Sequence, residues 1–437
     1  MAQLEKGSKK LLNAWAFYDW ANSVYSLVIA SAVFPIFFDA LFPENYHNID
    51  VFGTSMKGTA LISFVTAFAF LIVAFISPLL SGIADYAGNK KMFLKLFCYI
   101  GALSCIGLYW FSLENIYWSL VCYLFGLVGF WGSLVFYNSY LPDIAYPEQQ
   151  DAVSAKGYSL GYIGSVLLLL FNLAMVMFPE YFGIQDTANE AAEIIAMRYS
   201  FVSVGIWWIL FSQYTYYYLP KGNKKNKVTG EVMLNGFREL KKVWEQLKLN
   251  ITLKRYLGAF FTYSMAVQTV MLVATYFGAE EILWGGSEEK KKGLIISILL
   301  IQLVAVAGAM ITSKMSERYG NIKTLIVINC IWAIICICAF FVTLPIHFYI
   351  TAGFVGLVMG GIQSLSRSTY SKFLPETTDT ASFFSFYDVT EKIGIVIGMM
   401  LYGAIDQMFG SMRYSVIFLT IFFIIGVLLL RRVLKKS

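Results

Sequence analysis

The sequence predicts an all-α polytopic membrane protein, with twelve transmembrane helices arranged as two six-helix bundles. Three observations carry that expectation. Of 437 residues, 58% are hydrophobic and only 14% charged, with a mean hydropathy of +0.65; soluble domains carry roughly 25% charged residues. Apolar runs long enough to cross a bilayer, about 20 residues each, recur twelve times. Motifs of the first six runs then return in the last six. A disordered chain, a string of soluble domains and a nucleic-acid-binding protein are excluded by the shortage of polar side chains.

Taken in order, the expected spans are 13–41, 58–82, 93–113, 117–141, 156–178 and 197–219, then 256–280, 293–313, 324–344, 347–367, 385–408 and 413–431. Stretches such as Leu294 to Met310 do not alternate apolar with polar residues, as the strands of a membrane barrel would, so the spans are helices. The first is too long for a cleavable signal peptide, and no A-x-A site follows it. All six cysteines lie in apolar runs without CxxC spacing, which marks them as small buried groups. No metal site or cofactor is expected.

Basic residues orient the chain. With a cytoplasmic N-terminus, 26 of the 33 lysines and arginines fall on the cytoplasmic side or its boundary. Lys57, Arg198, Lys290, Lys291, Lys292 and Arg413 fall outside, and Lys392 lies within a span. The net charge of +6 therefore reflects topology, with both termini expected on the cytoplasmic side. Residues 221–255 divide the chain into a first bundle (1–220) and a second (256–437). Within that linker Phe237, Leu240, Trp244, Leu247 and Ile251 recur every three or four residues among lysines, the pattern of a basic amphipathic helix on the inner leaflet; a plain tether fits nearly as well.

Three segments repeat across the divide. Gly82-Ile-Ala-Asp85-Tyr-Ala-Gly88-Asn-Lys90-Lys91 after span 2 matches Lys314-Met-Ser-Glu317-Arg-Tyr-Gly320-Asn-Ile-Lys323 after span 8, at an offset of 232. Tyr140-Leu-Pro-Asp143 matches Phe373-Leu-Pro-Glu376 at the ends of spans 4 and 10, and Met197-Arg-Tyr-Ser200 matches Met412-Arg-Tyr-Ser415 at the starts of spans 6 and 12. Parallel repeats with a ligand site between them near the midplane are a transporter architecture.

The loop from Ser81 to Leu94 resembles the G-x-x-x-D-x-x-G-R-K loop of the major facilitator superfamily, with Ser81 at the usual first glycine. Trp15-Ala-Phe-Tyr-Asp19-Trp-Ala-Asn22-Ser, Phe136-Tyr137-Asn138-Ser-Tyr-Leu-Pro-Asp143, Gly360-Gly-Ile-Gln363-Ser-Leu-Ser-Arg367-Ser and Phe386-Tyr387-Asp388-Val-Thr-Glu391-Lys392 resemble its vacuole-effluxer-like branch. That branch includes fungal autophagy-related vacuolar amino-acid effluxers and bacterial relatives, which makes the bacterial inner (plasma) membrane the expected location. The resemblance implies the major facilitator fold and a secondary transporter, with amino-acid efflux as one expected activity. It also implies that Asp85 meets the positive N-terminal end of span 11 and latches the cytoplasmic side.

Intramembrane charges are the first candidates for a site, because a carboxylate at helix centre costs about 2.5–3.5 kcal/mol on insertion scales. Asp19, Asn22, Ser23 and Ser26 share one helical face of span 1 and would line a polar cavity. Asp19 would then contact a substrate amine or carry a proton; the alternative is a structural hydrogen bond near the helix end. In span 11, Asp388 and Lys392 have the spacing of a helical ion pair, which leaves Glu391 unpaired as a proton-switch candidate. Span 4 holds no arginine, unlike many proton-coupled members of the superfamily, so uncoupled diffusion stays open. Arg367, one turn after Gln363, would clamp a substrate carboxylate or simply anchor the helix end. Tyr137, Asn138 and Tyr387 complete the substrate candidates, and Tyr18, Tyr25, Tyr263 and Gln268 are further lining candidates. The latch set is Gly82, Asp85, Gly88, Lys90 and Lys91, with a weaker second copy at Glu317 and Gly320.

Glycines at 157, 161 and 164 in span 5, and at 394 and 398 in span 11, are spaced for close helix packing. Only two histidines exist, His47 and His347, and no Gly-Lys-Ser/Thr phosphate loop is present, so neither an enzyme nor an ATP-driven pump is expected. A facilitator or flippase for lipid-like or other small metabolites is the alternative. The expected partners are a small-molecule substrate and membrane lipids, no nucleic acid, and the expected state is a monomer.

Overall fold

A computed structural model describes residues 4–42, 48–51, 53–188, 190–222 and 232–434. Twelve helices are long and apolar enough to span a membrane: Lys9–Ala40, Ala60–Ala87, Lys90–Trp110, Ile116–Ile144, Pro147–Met177 and Ala192–Tyr218, then Ile251–Glu281, Ser287–Tyr319, Asn321–Ala339, Pro345–Phe373, Thr380–Phe409 and Met412–Leu434. These are spans 1 to 12 below. All twelve expected spans are present, and most run further at their polar ends, because helices extend through the headgroup region. A short hairpin, β1 (Asn48–Val51) with β2 (Thr54–Lys57), joins spans 1 and 2 and is an addition to the all-α expectation.

Two apolar cores account for the bundles. One contains side chains from Leu11 to Leu219, the other from Val243 to Val433. Each takes one buried residue from across the divide: Ala381 of span 11 joins the first, and Tyr162 of span 5 joins the second. Spans 5 and 11 are therefore seam elements as well as bundle members.

Span 1 departs from a regular helix. Residues Tyr25–Val33 form a π-helical stretch, and the Phe34 amide bonds Ile29. Pro35 follows and has no N–H for the carbonyl four residues back, so the preceding turns widen. Within this stretch the Ser26 hydroxyl donates to the Ser23 carbonyl.

The repeated turns behave alike. Gly88 closes span 2 in the left-handed conformation (φ 64°), and Gly320 holds φ 87° between spans 8 and 9; only glycine adopts such angles at little cost. The Met-Arg-Tyr-Ser repeat is also matched in contacts. Arg198 pairs with Glu190 at 2.7 Å and donates to the Tyr109 and Phe111 carbonyls at the end of span 3. Arg413 pairs with Glu281 at 2.8 Å and donates to the Phe340 carbonyl at the end of span 9.

The linker holds a helix, Val232–Leu249. Val243 and Leu247 are buried in the second core, Lys242 reaches Asp379 at 3.2 Å, and Trp244 lies against Phe386. Part of its apolar face is thus seated on protein, while Trp244 stays 44% exposed.

Candidate functional site

A buried polar cluster between the bundles centres on Arg367. Less than two turns remain between it and the end of span 10 at Phe373, yet its side chain is only 2% exposed. All five N–H donors of the guanidinium are used, every one by the first bundle. Nη1 and Nη2 lie 3.3 and 3.2 Å from Asp19 Oδ2. Nη1 also donates to Asn138 Oδ1 (3.2 Å), Nε to Ser154 Oγ (2.9 Å) and Nη2 to the Ser154 carbonyl (3.0 Å). Tyr137 donates its hydroxyl to Asp19 at 2.9 Å. The rings of Tyr158, Trp15 and Tyr137 surround the guanidinium carbon at 4.2, 4.8 and 5.4 Å.

Gly157 makes this contact possible. A Cβ there would stand 2.4 Å from Asp19 Oδ2 and 3.1 Å from Arg367 Nη2, too close for any side chain. The span-5 glycines 157, 161 and 164 all face span 1 or its partners, so the packing expectation is met and acquires a local purpose. Breaking a buried ion pair by removing one partner costs about 3–5 kcal/mol. Spans 1 and 10 are consequently tied while both charges are buried, and each charge needs a new partner when the bundles separate.

Around the pair, Asn22 is buried with its Nδ2 unpartnered. Gln363 accepts a 2.6 Å hydrogen bond from Tyr162 across the seam. Tyr387 stacks on Phe260 at 4.1 Å and leans on Tyr370 of the second bundle. Tyr18 and Tyr25 likewise pack within the first bundle.

A second cluster lies deeper along span 11. Lys392 Nζ sits 2.9 Å from Asp388 and 3.0 Å from Glu391, with Gln268 donating to Glu391 at 2.8 Å. Glu391 is thus not the unpaired carboxylate expected from spacing; Lys392 is shared, because neighbouring side chains converge when both are drawn to one buried ammonium. Asp388 Oδ2 is the atom left without a partner. Lys392 also stands 3.7 Å over the Trp131 ring of span 4, making a second seam contact.

On the membrane face that carries the termini, two further clusters tie the bundles. Asp85 at the end of span 2 accepts the backbone amides of Ala381 (3.2 Å) and Ser382 (2.7 Å) in the first turn of span 11, where the helix dipole favours an anion. Lys90 bonds Asp143 and Thr380. Gly82 is buried beside Asp85 and Gly88 supplies the turn. Lys91 instead closes its own bundle through the Leu219 carbonyl at 2.8 Å. Glu317 is exposed, and the weaker latch expected there is made elsewhere. Asp151, in span 5, accepts from Ser316 (2.9 Å), Asn321 (2.9 Å) and Lys372 (2.6 Å). Glycine 320 repeats the turn, but the acid has moved to the opposite bundle.

Residues 7–436 match the family model described as vacuole effluxer Atg22 like. The chain belongs to this Atg22-like family. One relative, the uncharacterized MFS-type transporter YxiO of Bacillus subtilis, is 31% identical over 97% of this chain and 95% of its own length. Autophagy-related protein 22 of Eremothecium gossypii is 25% identical over 66% of this chain and 60% of its own. The fold is that of the major facilitator transporters. FucP in the outward conformation has a TM-score of 0.68 at 14% identity, covering 97% of this chain and 98% of that one. The human organic anion transporter MFSD10 has a TM-score of 0.70 at 10% identity, covering 97% and 99%. The Atg22-like protein is a multi-pass membrane transporter and not an enzyme.

Three residues of the interbundle contacts carried no sequence signal. Ser154 reads as an ordinary helix position, Asp151 lies before the expected start of span 5, and Tyr158 is one aromatic among 75 in the chain. Only distance in space links them to Arg367 or to the other bundle.

Proposed function

We propose that the protein moves a small zwitterionic solute of the amino-acid class by alternating access. The observation that carries this reading is the buried Asp19–Arg367 pair between bundles. Without solute, each charge neutralises the other and the seam closes. When the bundles part, an α-carboxylate has the two-oxygen geometry that a guanidinium prefers, and an α-ammonium has the charge Asp19 requires. A zwitterion therefore replaces both halves of the pair and lets the bundles close again. A simple amine or simple carboxylate satisfies one half and leaves the other charge buried, at about 3–5 kcal/mol.

In this reading the bundles 1–220 and 256–437 move as units joined by 221–255, in a monomer. The termini face the cytoplasm of a bacterial cell, supported by the 26 of 33 basic residues on that side and by the Bacillus relative. The family's description as effluxers supports efflux. Proton linkage is assigned to the span-11 cluster, where two carboxylates share one lysine and Asp388 Oδ2 has no partner.

Counterflow of zwitterionic amino acids in proteoliposomes tests this reading. Asp19→Asn and Arg367→Met are each expected to lower exchange by about tenfold or more, the scale of a lost charge-assisted contact. Equal exchange by wild type and both variants would remove the pair from the mechanism. Asp388→Asn and Glu391→Gln are expected to alter the pH profile; a profile unchanged in both would detach proton linkage from span 11.

A further inference from the structure

An ammonium at Asp19 needs a carboxylate and little else, yet the first bundle offers much more. Three aromatic rings lie within 6 Å of the Arg367 guanidinium carbon, the range of cation–π attraction. Asp19, Asn138 and Ser154 then present acceptors to all five N–H groups. We propose that these residues are a receptor for a guanidinium-type cation, and that Arg367 is its tethered occupant while the terminal face is closed. This rests on the exchange of Asp19 and Arg367 contacts for solute contacts, and it narrows the solute to a carboxylate whose cationic end is a guanidinium.

The receptor holds its shape through its own bonds. Trp15 and Tyr137 stack at 4.5 Å with 17° between planes, Trp15 Nε1 donates to the Tyr137 carbonyl at 2.9 Å, and Tyr137 donates to Asp19. None of these contacts involves span 10, so the receptor persists when Arg367 withdraws. Gly157 leaves the floor open beside Asp19. The span-11 cluster provides the contrast: Lys392 meets one ring and two carboxylates, a setting for a compact ammonium. A flat, weakly hydrated cation gains from several ring faces and from in-plane acceptors, whereas an ammonium is a strongly hydrated point charge. With the solute's guanidinium in the receptor, the freed Arg367 takes the solute's carboxylate.

The test compares guanidinoacetate with glycine, which share a carboxylate and differ in the cationic end. Binding is measured by calorimetry on the full-length protein in nanodiscs. Guanidinoacetate is expected to bind about tenfold more tightly than glycine, the order expected for partly desolvated cation–π contacts. That ratio is expected to fall towards one in Trp15→Leu and in Tyr158→Leu. A wild-type ratio near one, with glycine binding still dependent on Asp19, overturns the receptor and leaves the zwitterion reading standing. Binding of neither ligand overturns both. Glycine betaine binding as tightly as guanidinoacetate overturns guanidinium recognition in favour of methylated ammonium. Arg367→Ala gives an independent arm, because it empties the receptor. Millimolar guanidinium chloride is expected to raise the Tm of that variant while ammonium chloride does not, and equal effects of the two salts overturn the proposal.

Discussion

The two clusters on the terminal face occupy equivalent places in the repeat but are built from opposite materials. Asp85 belongs to span 2 and receives main-chain amides from span 11. Asp151 belongs to span 5 and receives side chains from span 8, the first residue of span 9 and span 10. Repetition preserved the glycine turn and the geometry of approach while exchanging which bundle supplies the negative charge. A latch on backbone amides depends on one side chain; a latch on Ser316, Asn321 and Lys372 spreads its dependence over four. The first tolerates change in its partner helix, and the second includes a true ion pair, so its acid is the costlier one to remove.

That difference can be broken in order of size. Asp151→Ala leaves Lys372 without its anion and strips two neutral donors of their acceptor. It is expected to shift the balance towards a state open at the terminal face by about 3 kcal/mol or more. Double electron–electron resonance between labels at the ends of spans 4 and 10 reads the shift, in a background lacking the exposed Cys330 and Cys338; an unshifted distance distribution would contradict the assignment. Asp85→Asn keeps one acceptor oxygen and loses the charge facing the helix end. The expected shift is smaller, about 1–2 kcal/mol, measured by accessibility of a cysteine placed beside Ser382. If it exceeds the Asp151→Ala effect, the ranking of the two latches is reversed. Glu317→Gln, at an exposed side chain, is expected to change either readout by less than about 0.5 kcal/mol; a larger effect would restore this residue to the latch.

Much of the fold was legible because a membrane makes hydropathy a direct record of topology. Twelve apolar runs became twelve helices, and the repeats marked equivalent turns. The site was legible only as a set of misplaced charges. Asp19, Asn138 and Arg367 stood out because each is costly in a bilayer, but contact between positions 19 and 367 has no local signature. Glu317 misled for a related reason. Repetition in sequence records the path of the backbone, whereas an interface between two halves is free to place a charge on either partner. The same limit hid Asp151, which lies before the apolar run of span 5 and among other polar residues. Glu391 was read from spacing along one helix, and Gln268 on another helix changed its surroundings. The π-helical stretch of span 1 was hidden too, since Pro35 near a membrane face also fits an ordinary helix start.

Arg198 and Arg413 bear on how topology itself is counted. Each guanidinium is neutralised by a glutamate and spends further N–H groups on carbonyls where a preceding span ends. They complete helix termini, as a C-cap would, and offer little free charge to the surface they face. Of the six basic residues assigned to the side opposite the termini, these two are committed to the backbone, and the effective number falls to four. An arginine in a membrane protein sequence thus has two meanings that look identical on paper. One is an address label read during insertion, and the other is a splice that finishes a helix.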